Sequence, residues 1–308
     1  MSLDQLSLEG AEVLFVVYPS SSDVFDRFFP ALSLEREHLD PMTFLYVGQY
    51  SPGILGVDTS IVTIPAFPGD FTRDQLLVLM EKIQDLAVTV DARGVALAGI
   101  LPGMFYRYSI PVEPPCVTGR LGTVYAVVQT LRDALKIHGL ALQTTTPIRI
   151  LGYGYVGQWC LEYLKQLGCM DLVVIERRLH GTYRREGVIF TNSQDFIRED
   201  NWVIFVAGGG NEVDVSGLPR IFGINDMYPP FSLEQMAILA RKGSVLYEVA
   251  LCATGVMSDR KIEQFSLDQF PGCLGQGLVQ GTGLDTTSMS QAEFDEAART
   301  LAIRSSLA

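Results

Sequence analysis

Residues 148–157 read Ile148-Arg149-Ile150-Leu151-Gly152-Tyr153-Gly154-Tyr155-Val156-Gly157. An apolar strand enters G-x-G-x-x-G, and a helical pattern follows through Leu167 to a stop at Gly168. A second apolar run, Leu172-Val173-Val174-Ile175, closes on the acid Glu176, 19 residues after Gly157. Strand, glycine loop, helix, strand and acid in this order mark a dinucleotide-binding βαβ unit. Gly152 serves the tight turn out of the strand. Gly154 lacks a Cβ and lets a pyrophosphate approach the backbone, and Gly157 lets helix and sheet pack closely. The N–H groups of Tyr155 and Val156 lie at the positive end of the helix, which favours phosphate. Glu176 is placed to accept hydrogen bonds from an adenosine ribose. The plain alternative is a glycine-rich turn in an α/β domain that binds nothing.

Outward from this unit, the chain of 308 residues is long enough for two domains. Its hydrophobic content of 48% and mean hydropathy of +0.23 supply ample core and material for a subunit interface, so a homo-oligomer, most simply a homodimer, is expected. A net charge of −12 argues against nucleic acid and against docking on anionic membranes. The five cysteines form no C-x-x-C pair and the three histidines are dispersed, so neither a disulfide framework nor a metal site is expected. No signal peptide and no apolar run long enough for a membrane span is read, and a cytoplasmic location fits these features.

Upstream, 12–19, 43–48 and 57–65 read as strands, 70–91 as an amphipathic helix, and 94–101 as an apolar strand stopped by Pro102-Gly103. This succession predicts a smaller α/β domain over 1–117, on the substrate side. A helix begins near 121, in the connecting segment 118–146, and 147–308 is read as a Rossmann-type doubly wound domain. Further strands are expected at 188–190, 202–207, 221–226 and 244–250. Ser232 caps a helix reaching Arg241. The strand 202–207 would deliver Ala207 and Gly208 to the cofactor. The active cleft is expected between the domains, with Thr118 near the nicotinamide. Beyond Glu176, Arg177 and Arg178 offer contacts for the 2′-phosphate of NADP, whereas Glu176 favours NAD. Asp226 and Tyr228, past a strand's carboxyl end, are candidates for acid–base work.

Four stretches together resemble the NAD(P)-dependent acyl-carrier-protein reductases that form fatty aldehydes. They are 96–101, then Val117-Thr118-Gly119 opening a helix, then the loop 152–157. Last comes the order Glu212-Val213-Asp214, Ile224-Asn225-Asp226-Met227-Tyr228-Pro229 and Cys273. The likeness covers residues 58–282. It implies an acyl thioester substrate, free or on an acyl carrier protein. Cys273 would be the nucleophile whose thioacyl form is reduced to an aldehyde. A cysteine entering a helix is reasonable for that role, because a helix N-terminus favours thiolate and oxyanion. Three features depart from the family. Gln276 stands where an acid is expected, and Gly275, Gly277, Gly281 and Gly283 weaken the helix, each by about 1 kcal/mol relative to Ala. Glu176 also precedes Arg177 and Arg178, where the family often places an arginine without an acid. Two other readings stay open: a dehydrogenase of an amino, imino or hydroxy acid without a covalent intermediate, and a non-enzymatic nucleotide sensor.

Overall fold

A computed structural model describes residues 8, 10–19, 22–30, 32, 38–261 and 265–308. The chain divides into two compact α/β units, one of residues 1–123 with 251–304, the other of 124–250 with 305–308.

The first unit is built on a five-stranded sheet: β1 (Val13–Val17), β2 (Leu45–Tyr50), β3 (Thr59–Thr63), β4 (Gly94–Leu97) and β5 (Cys116–Val117), in the order β2-β3-β1-β4-β5. Only β2 runs antiparallel to its neighbour. Strands β1, β3 and β4 are almost wholly buried, as a parallel sheet covered on both faces requires. Helix α1 is Ser22–Phe28 and α2 is Arg73–Thr89. Thr72 and Gln75 form a capping box that starts α2, and Leu76, Leu79, Met80, Ile83 and Ala87 form its buried stripe. The run 94–101 is not one strand. It leaves the sheet at Leu97, turns at Gly99 and enters α3 (Leu101–Arg107), where Pro102 sits in the first turn. Proline there removes no needed hydrogen bond, so it opens the helix rather than stopping a strand.

The second unit carries a seven-stranded sheet: β6 (Ile148–Leu151), β7 (Leu172–Ile175), β8 (Tyr183–Arg185), β9 (Val188–Thr191), β10 (Asn201–Phe205), β11 (Ile221–Asn225) and β12 (Val245–Glu248). Read from β9, the order β9-β7-β6-β10-β11-β12 is 3-2-1-4-5-6, all parallel. This is the Rossmann-type doubly wound sheet, with its switch point between β6 and β10. The segment between β7 and β9 holds the exposed strand β8, antiparallel to β9, where such folds often place a helix. Helix α4 (Arg120–Ile137) contains the unit boundary, α5 (Tyr155–Gln166) follows the glycine loop, and α6 (Leu233–Arg241) is capped by Ser232. One core cluster gathers Leu151, Val203, Phe205, Ile221 and Leu239 on a face of this sheet.

The expected domain 147–308 is drawn differently by the contacts. Helices α7 (Gly272–Gly281) and α8 (Gln291–Thr300) belong to the first unit. Helix α7 lies on β4 and β1, and its glycines are the reason it can. A Cβ on Gly277 would stand 2.7 Å from the Cβ of Ala96, and one on Gly281 would press on Val13 and Val57. The helical propensity lost is offset by close burial. Among the described residues no helix is long and apolar enough to cross a membrane.

Candidate functional site

In the second unit the loop leaves β6 at the switch point. Gly152 has φ +107°, and a Cβ on it would lie 2.7 Å from the Ala207 backbone nitrogen. The loop thus packs directly against the end of β10, bringing Gly152 together with Ala207 and exposed Gly208. Gly154 caps α5, and a Cβ there would meet no atom within 4 Å. Gly157 packs against the carbonyl of Gly152. The backbone at 154 therefore borders open space. Tyr155 and Val156, half-buried, form the first turn of α5 beside it. Such a turn offers N–H groups and the positive helix end to an anion. These residues fit a diphosphate.

Glu176 immediately follows β7 beside this loop. Its carboxylate accepts the Tyr153 N–H at 3.0 Å, the Arg178 N–H at 3.2 Å and the Arg178 Nε at 2.8 Å. Burial alone would raise its pKa. The Arg178 guanidinium and the two backbone donors outweigh that and hold it at about 2. Arg177 points elsewhere and pairs with Glu212, Nη2 to Oε2 at 3.1 Å. Arg178, expected with Arg177 to meet a 2′-phosphate, is tied instead to Glu176. Nothing local marked Glu212 as the partner of Arg177.

Asp226 lies just past β11, with its N–H donating to the Phe205 carbonyl at 3.0 Å. Burial, and then the neighbouring Glu248, push its carboxyl up to about 8, so it holds a proton at neutral pH. Glu248 closes β12 and accepts the Asn225 Nδ2 at 2.8 Å. Burial of its carboxylate raises its pKa against that hydrogen bond. Asn225 is 1% exposed and committed to Glu248 and to the Met227 N–H, which makes it a brace rather than a substrate ligand. Glu248 was missed, although it ends an apolar strand as Glu176 does. Tyr228 follows, half-buried.

Thr118 and Cys273 lie in the first unit. Cys273 is the second residue of α7, half-buried, and Gly119, at φ +70°, packs against its Cα and Cβ. The Thr118 Oγ1 accepts the Arg120 N–H at 3.4 Å, at the start of α4. Gln276 is structural. Its Oε1 accepts the Leu121 N–H at 3.0 Å and its Nε2 donates to Thr286 at 3.3 Å. The amide thus ties α7 to the first turn of α4, which an acid could not do with both atoms. Cys116 is fully buried, and burial pushes its thiol up to about 12, so it is a packing residue.

No family model matches this chain, and no curated protein sequence matches it. Solved structures do. The Entamoeba histolytica malic enzyme is similar at a TM-score of 0.53 and 14% identity, over 96% of this chain and 62% of that one. A Plasmodium falciparum glutamate dehydrogenase 2 gives 0.48 and 12%, over 96% and 70%. A Peptoclostridium difficile shikimate dehydrogenase 1 gives 0.44 and 12%, over 94% and 97%. At 14% identity the likeness to the malic enzyme shows the fold alone: a mixed α/β chain with a Rossmann-type sheet. This chain spans less than two thirds of the malic enzyme's length.

Proposed function

We propose that this protein is an oxidoreductase that uses NAD or NADP and acts on a small hydroxy or amino acid. The observation that carries the reading is the glycine loop at the switch point of a 3-2-1-4-5-6 sheet, with Gly154 facing open space. The first turn of α5 would hold the diphosphate, Glu176 the adenosine ribose, and Ala207 with Gly208 the other wall of the crevice. The fixed negative charge of Glu176 favours NAD over NADP, since a 2′-phosphate would meet a carboxylate. A bound nicotinamide supplies a hydride donor or acceptor. Asp226, protonated at neutral pH one strand away from the crevice, can give a proton when a carbonyl or imine is reduced and take it back in the reverse direction. Tyr228 stands two residues on and is a candidate to hold the substrate oxygen. The fold shared with a malic enzyme supports the general oxidoreductase reading.

A second reading is favoured by one observation. Cys273 enters α7, a ten-residue helix, at the end where a thiolate and an oxyanion are stabilised. On that reading an acyl thioester, free or on an acyl carrier protein, is reduced to an aldehyde, with Gly119 packed beside the cysteine.

Calorimetry with NADH and NADPH tests the shared premise, and heat with neither would overturn both readings. Cofactor oxidation and reduction across hydroxy acids, amino acids and acyl thioesters then separates them. Cys273→Ser leaves hydroxy- or amino-acid turnover intact and abolishes aldehyde release.

A further inference from the structure

We propose that the β12 edge of the second unit is a self-complementary surface that pairs antiparallel with β12 of a second copy of this chain. The seven-stranded sheet has two edges, and they are built differently. At one, β8 is short and carries Arg184 and Arg185, charges that discourage further pairing. At the other, β12 reads Val245-Leu246-Tyr247-Glu248, with neither proline nor lysine. Its two end residues are exposed and its middle two half-buried, although strands of parallel sheets are ordinarily buried. Val245 is 37% exposed. Ile137 and Leu140, at the end of α4, are 59% and 53% exposed. His138 between them binds Tyr247 of β12, Nε2 to OH at 2.7 Å, so this apolar surface is continuous with the strand.

The alternation of the backbone fixes what the edge can accept. The Val249 N–H donates to the Asn225 carbonyl of β11. By the period of two, Tyr247 and Val245 also point toward β11, while Leu246 and Glu248 turn their N–H and C=O groups outward; the Ser244 N–H is taken by the Leu239 carbonyl at 3.1 Å. A two-fold axis perpendicular to the sheet preserves its faces, so opposed residues must share a face. Centring the axis on Leu246 sets Leu246 against Leu246 of the copy as a hydrogen-bonded pair, and Ser244 against Glu248. It also sets Val245 against Tyr247 twice, an aromatic and β-branched pair that stabilises sheets. Centring on Tyr247 instead would oppose Leu246 to Glu248. The apolar match therefore selects the first register and selects a second copy as occupant. Closed two-fold pairing also uses up the edge, which an open-ended stack would not.

Sedimentation velocity at micromolar concentration should show twice the 33.9 kDa chain mass. Val245→Lys sets a charge against Tyr247 of the copy and should weaken the dimer more than tenfold. Leu246→Cys supplies an independent readout. Hydrogen-bonded antiparallel partners lie ~5.5 Å apart at Cα, within disulfide reach, so mild oxidation should link two chains. A wild-type protein that stays monomeric overturns the proposal. So does a dimer that persists in Val245→Lys, or a Leu246→Cys protein that cross-links no more than the parent with its own five cysteines.

Discussion

Gly154→Ala should leave the fold intact and weaken dinucleotide binding, whereas Gly152→Ala should damage the fold itself. At Gly154 the backbone has φ −76° and ψ −161°, which alanine adopts without strain, and the added methyl meets nothing within 4 Å. Alanine restricts the unfolded chain, a gain of ~0.4–1 kcal/mol. As an N-cap it is worse than glycine by a similar amount, so the net change in stability is near zero. The methyl occupies the space a diphosphate needs. Lengthening two or three charge-assisted hydrogen bonds, each worth ~1.5–3 kcal/mol when well made, should weaken binding about 10- to 100-fold. Gly152 offers the contrast. Its φ of +107° costs an L-residue ~1–3 kcal/mol. The Ala207 nitrogen at 2.7 Å and the Val206 carbonyl carbon at 2.8 Å are backbone atoms that cannot swing away. Crowding of that kind adds ~1–3 kcal/mol. Urea melts of both variants, paired with NADH titrations by fluorescence, give the two readouts. A folded Gly154→Ala protein that binds NADH as tightly as the parent would refute the placement of the diphosphate at this loop.

Asp226→Asn should stabilise the protein at high pH. Wild-type Asp226 keeps its proton up to about 8 when folded, well above the ordinary aspartate value of 3.8. Between those values the folded state binds more protons than the unfolded, so stability falls as pH rises. Water still reaches the residue, so the gain for the variant at pH 9 should be about 2 kcal/mol, less than half the full linkage value, read from urea melts across pH. The same variant should lose the alkaline limb of the turnover profile. Gly277→Ala drives a methyl into Ala96 and should cost ~1–3 kcal/mol, where alanine in an open helix would have been favourable; a rise in melting temperature would contradict the packing. Lys242 Nζ donates to the carbonyls of Val215, Ser216 and Leu218 at 3.0, 2.6 and 2.6 Å. Lys242→Met should therefore cost ~1–3 kcal/mol in denaturant titrations.

The stretch 148–176 was legible because its signals are local. Periodicity, glycine spacing and a terminal acid all lie within one βαβ unit, and the structure places strand, loop, helix and acid in that order. What escaped the sequence depends on partners far along the chain. Arg149 interrupts an apolar central strand, yet its guanidinium is satisfied by the Asp171 carboxylate at 2.9 Å and the Phe196 carbonyl at 3.1 Å. Nothing within the strand announces either partner. The run 94–101 was read as a single strand because apolar residues carry no mark of direction. Only the turn at Gly99, where the Tyr18 hydroxyl accepts the Ile100 N–H at 2.8 Å, shows where the sheet ends.

The segment after Pro271 shows most sharply why local propensity misleads. Four glycines in ten residues predict a poor helix, and in isolation it would be one. Helix α7 is nonetheless almost entirely buried, and its glycine sites face Gly122 and Thr123, Leu251, Ala96 and Val13 in turn. Each missing side chain is the condition for a backbone approach that a Cβ would prevent. Gln276 completes this, since an ionised acid there could accept from Leu121 but could not donate to Thr286. Glycine content and the absent acid, two separate departures by sequence, therefore have one cause: α7 is seated against β4 and the start of α4. That seating fixes Cys273 beside Gly119 whether or not its sulfur reacts. The approach of Gly119 to Cys273 is therefore accounted for by packing, and the Cys273→Ser turnover measurement is what assigns the sulfur chemistry.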